Sequence, residues 1–151
     1  INKDIINSDI SFLYDFSNGS PGVALEYITE DMQDIFNTLV AIFKKNIPLS
    51  SEIINLTTNV GNLNNEQYKS FLSVIKFILS NLIKIFFGSN IQNQFVSDIR
   101  KTFEDLTNYV NLNKCIETIN YINDHQNDLF VFNLDKKIFT LNLFSEISNN
   151  Q

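Results

Sequence analysis

The stretch that decides the fold is Asn65-Glu-Gln-Tyr68-Lys-Ser-Phe71-Leu72-Ser-Val-Ile75-Lys-Phe77-Ile78-Leu79-Ser-Asn-Leu82-Ile-Lys-Ile-Phe86-Phe87. Tyr68, Phe71, Leu72, Ile75, Ile78, Leu79, Leu82 and Phe86 recur at steps of three and four, the period of one helix face. From Phe77 to Phe87 the pattern is apolar nearly all round, which predicts a central buried helix. A membrane span needs about 18 or more apolar residues in a row. Here Lys76, Ser80, Asn81 and Lys84 interrupt, so a span is not expected.

Working outward, the same period governs the rest. Upstream, Met32, Ile35, Phe36, Leu39, Val40 and Phe43 predict a helix from Asp31 that Pro48 closes. Ser50 or Ser51 caps a shorter one through Ile53, Ile54, Leu56 and Val60, stopped by Gly61. Two short helices precede these: Ile10, Leu13 and Phe16 behind Ser8, and Val23, Ala24, Tyr27 and Ile28 behind Ser20-Pro21, with Pro at a first helical position. Downstream, Gly88-Ser89-Asn90 is a turn. Phe95, Ile99, Phe103, Leu106 and Val110 mark a further helix, and Leu112, Cys115, Ile116, Ile119 and Ile122 the next. A last helix begins near Asn133 and runs through Ile138, Leu141, Phe144 and Ile147. Leu129-Phe130-Val131-Phe132 reads as a strand as well as anything else, but it has no partner strand. The prediction is an all-α bundle of seven or eight helices, with a boundary near Thr29-Glu30-Asp31.

The 151 residues suit one domain, and a chain this long buries roughly 70% of its extended surface. At 44% hydrophobic it is no disordered chain, and four Gly and two Pro exclude a loop-dominated one. The 23 Asn, 21 Ile and 14 Phe are what an AT-rich genome encodes, a statement about source and not about function. The first residue is Ile1, with no basic start and apolar run behind it, so the reading is of a piece cut from a longer cytoplasmic protein.

Chemistry has little raw material. One Cys and one His exclude a disulfide framework and a Cys/His metal site. None of Gly19, Gly22, Gly61 and Gly88 leads into the Gly-Lys-Ser/Thr that a phosphate cradle requires. His125 lies at helical spacing from Asp124 and Asp128, yet no nucleophile is positioned beside it, so a solvated imidazole is expected. Cys115 falls on an apolar face, where a thiol behaves as a small hydrophobe. Asp31/Asp34 and Glu26/Glu30 are solvated pairs at helix starts. No catalytic residue, cofactor or metal is therefore expected. The net charge of −6 and the scattered Lys and Arg argue against a nucleic-acid surface. Lys136-Lys137 stands out, because cations in a first helical turn oppose the dipole unless something anionic compensates.

Two segments carry a resemblance. Ser17-Asn18-Gly19-Ser20-Pro21-Gly22-Val23-Ala24-Leu25, after an amphipathic helix, resembles the Ser-x-Gly-Ser-Pro-Gly-x-Ala-Leu stretch of delta-prime-type subunits of the bacterial DNA polymerase III clamp loader. Phe132-Asn133-Leu134-Asp135-Lys136-Lys137, followed by Leu141 and Phe144, is similar to the Asn-Leu-Asp-Arg-Lys helix start that closes many such chains. Between them, residues 31 to 131 agree only in helical pattern and length. The resemblance implies that residues 1–30 end the helical lid of an ATPase-like module and that 31–151 form the collar, the helical domain through which clamp-loader subunits assemble. It also implies partners of the gamma/tau and delta type and a role in loading the sliding clamp. Where ATP-hydrolysing subunits carry a nucleotide-contacting Arg, this chain has Gly22, as expected of a subunit that does not use ATP. Lys136 and Lys137 replace the usual Arg-Lys pair. The alternative is a free-standing helical adaptor. In either case function rests on surplus apolar surface, and Phe86, Phe87, Phe130 and Phe132 are the expected interface residues.

Overall fold

The computed structural model describes residues 30–45, 50–88 and 97–148, the side chains of 30–33, 97–99 and 148 excepted. Six helices lie in these segments: α1 (Glu30–Lys45), α2 (Ser51–Gly61), α3 (Asn65–Phe86), α4 (Ser97–Leu106), α5 (Leu112–Val131) and α6 (Lys136–Ser148). There is no strand among the described residues. The expected count was seven or eight. The two short helices before Glu30, with Gly19, Ser20, Pro21 and Gly22, lie outside the described residues, as do Pro48 and Phe95.

Helix α3 is the axis of the bundle, packing against α5, α1 and α4. It starts sharply because Asn64 and Gln67 form a capping box. The Gln67 amide donates to Asn64 Oδ1 at 2.9 Å, and the Asn64 amide donates to Gln67 Oε1 at 3.0 Å. Its buried face runs through Tyr68, Phe71, Leu72, Val74, Ile75, Ile78, Leu79 and Leu82. The helix is thus central and buried, as its apolar pattern predicts, with burial running from Tyr68 to Leu82. The neighbouring helices meet its middle, and beyond Leu82 burial is only partial until Phe87 stands 69% exposed.

Helix α1 buries Phe36, Leu39, Ile42 and Phe43. Its last turn carries Lys44 and Lys45, which suit the negative end of the helix dipole. Lys44 reaches Asp105 at 2.6 Å and Lys45 pairs with Glu52, linking α1 to α4 and α2. Helix α2 is capped by Ser50, whose Oγ accepts from the Ile53 amide, and buries Ile53, Leu56, Thr57 and Val60.

Two boundaries differ from expectation. Helix α4 ends at Leu106, before Val110, as the backbone tightens into turns that bond Tyr109 and Val110 amides to the Leu106 carbonyl. Helix α5 runs on from Ile122 through the helically spaced Asp124, His125 and Asp128 to Val131, so the apolar run 129–132, readable as a strand, is its last turn and cap. Helix α6 starts at Lys136 rather than Asn133. Its buried face is Phe139, Thr140, Leu143, Phe144 and Ile147, which leaves Ile138 on the outside.

Aromatic pairs, edge-on at Phe103 and tilted at Phe43, join the helices. Phe103 of α4 meets Phe36 of α1 with centroids 6.1 Å apart and Phe77 of α3 at 5.7 Å, and Phe43 of α1 meets Phe144 of α6 at 6.3 Å. Among the described residues no helix is long and apolar enough to cross a membrane.

Candidate functional site

Residues 128–138 form a corner in which one helix is stopped and the next begun within four residues. Phe132 caps α5, its amide bonding the Asp128 carbonyl at 3.0 Å. Asn133 follows with φ of 50°, the left-handed conformation that Asn tolerates better than most side chains. That reversal lets the Leu134 amide return 2.9 Å to the Leu129 carbonyl, the six-to-one bond of a Schellman stop. Asp135 then caps α6, its Oδ1 accepting from the Ile138 amide at 3.0 Å. The Asn-Leu-Asp sequence is therefore a stop followed by a start, which is why α6 begins later than the apolar periodicity implied.

The corner is fixed from beneath. Tyr68 of α3 is fully buried, and its hydroxyl lies 2.8 Å from Thr140 Oγ1, which donates to the Lys136 carbonyl at 2.7 Å. The Tyr68 ring packs on Phe130 and Phe139, at 6.3 and 6.5 Å between centroids. Burial pushes the Tyr68 phenol well above its ordinary range, against the smaller opposing pull of the Thr140 hydrogen bond. It remains a neutral hydrogen-bonding group across the physiological range.

Lys137 explains the basic first turn. A Cβ built on Gly61 would lie 2.6 Å from Lys137 Cε and 3.0 Å from Cδ, with Cγ closer still. The lysine stem therefore crosses the bare backbone of α2's last residue. It brings a cation beside the carbonyl end of a helix that has no basic residue in its own last turn. The compensating negative end belongs to α2.

What the corner leaves outward is apolar. Val131 is 73% exposed, Phe132 68%, Leu134 49% and Ile138 59%. These are four of the seven large apolar side chains exposed among the described residues, gathered within eight positions. Of the four phenylalanines expected at an interface, Phe132 and Phe87 are outside. Phe86 and Phe130 are half-buried and packed on the core, Phe130 with the Lys69 ammonium 5.2 Å over its ring. Sequence reasoning missed Val131 and Ile138 as surface residues. For Ile138 the signal was there in the Asn133–Asp135 stop and start, which shifts the helical phase of everything after it, whereas Val131 is exposed by its place in the last turn of α5.

A second surface feature lies along α1 and α2. A groove of about 440 Å³ is lined by Ile35, Leu56, Val60 and Leu63 together with the polar Asp34, Thr38, Glu52, Asn55 and Asn59. The Lys45 ammonium holds the Glu52 carboxyl down to about 2.

His125 is exposed, its ring 4.7 Å from that of Tyr121, and neither Asp124 nor Asp128 pairs with it among the described contacts. Cys115 is fully buried, and burial pushes its thiol up to about 12. Among the described residues no three His, Cys, Asp or Glu side chains gather as metal ligands would.

Fold and surface together define an all-α bundle with an apolar corner. Compared with protein-family models, with curated proteins and with solved structures, the chain gives no match.

Proposed function

We propose that this chain is a non-catalytic assembly domain, a cytoplasmic scaffold that works by docking other proteins. The observation that carries the reading is the corner of Val131, Phe132, Leu134 and Ile138. These four exposed residues fall within eight positions of the chain, and an apolar patch of a few hundred Å² on a monomer is often a binding site. Phe132 suits the centre of such a site, since aromatic anchors dominate interface energies.

The specific assembly proposed is the collar of the bacterial DNA polymerase III clamp loader, with this chain as its delta-prime-type member. Support comes from the two sequence segments that resemble that family. The second of them, Asn133 to Lys137, is the segment that builds the corner. In this reading the domain performs no chemistry, and its partners are the gamma/tau- and delta-type subunits.

Co-elution tests it. The chain is mixed with the gamma/tau- and delta-type subunits of a bacterial clamp loader and run on a sizing column. The expected result is a stoichiometric complex that Phe132→Asp weakens at least about tenfold, as loss of a central aromatic anchor would. No complex with the loader subunits refutes the collar assignment. A complex that Phe132→Asp leaves intact refutes the corner as its docking surface.

A further inference from the structure

We draw no further inference here: the strongest candidate, the groove between α1 and α2 in which Asp34 and Asn59 stand beside Ile35, Leu56, Val60 and Leu63, carries nothing because nothing in the structure shows what covers it.

Discussion

Changing Tyr68 to Phe isolates the bond that fastens the corner to the central helix. The ring, with its packing on Phe71, Phe130 and Phe139, stays in place, and only the hydroxyl 2.8 Å from Thr140 Oγ1 is lost. Thr140 keeps its own donation to the Lys136 carbonyl, so no donor is stranded. The cost is therefore that of one neutral buried hydrogen bond, about 1 kcal/mol. That is a factor of about five in the folding equilibrium and about 2–4 °C in melting temperature. Thr140→Val is harsher, at about 1–3 kcal/mol, because it leaves the phenol with only the Lys136 carbonyl 3.4 Å away. Urea denaturation of the parent, both single variants and the double variant closes a thermodynamic cycle, and a coupling of about 0.5–1.5 kcal/mol is expected. The pH dependence gives an independent signature. A phenol whose pKa is raised by folding leaves stability intact below about pH 10, then erodes it as pH rises and the unfolded phenol ionises. Tyr68→Phe should flatten that alkaline decline. A coupling near zero with an unchanged alkaline slope would refute the claim that this bond anchors α6.

Three further outcomes follow from the same structure. Asn133→Ala should destabilise by about 1 kcal/mol, because a Cβ without the Asn amide sits poorly at φ of 50°, while Asn133→Gly should cost little or nothing by thermal melting. The Lys45–Glu52 pair, with Glu52 held to about 2, stabilises above about pH 5 and loses that contribution as pH falls toward 2. Lys45→Ala should therefore lower the urea midpoint at pH 7 but not at pH 2, by a modest amount, since the pair is exposed. Cys115 should react with a thiol reagent only as fast as the chain unfolds, and labelling that outruns unfolding measured by circular dichroism would contradict its burial.

The helices were legible wherever periodicity and capping agreed. Asn64 and Gln67 flank a pattern that runs unbroken to Phe86, and α3 is found there within a residue of its expected start. Boundaries were lost where the local signal was weak. In α4, Val110 continues the apolar spacing of Phe103 and Leu106, yet the backbone leaves the helix after Leu106 and Val110 is buried from a turn. For the candidate surface, Phe132 and Phe87 were readable as surplus apolar residues. Phe86 and Phe130 were not separable from them, because whether a phenylalanine faces in or out depends on helical phase. The phase at 130–132 is that of α5, and the phase after it is reset by the backbone of Asn133. The groove was not readable at all, since it exists only once α1 and α2 lie side by side.

The turn at Asn133 and Asp135 also divides labour between main chain and side chain. Its angle is held by amides, carbonyls and one capping carboxylate, with Tyr68 gripping from below. The side chains of Val131, Phe132, Leu134 and Ile138 take no part in those bonds. Mutation can therefore rewrite whom this protrusion greets without asking the rest of the molecule to refold.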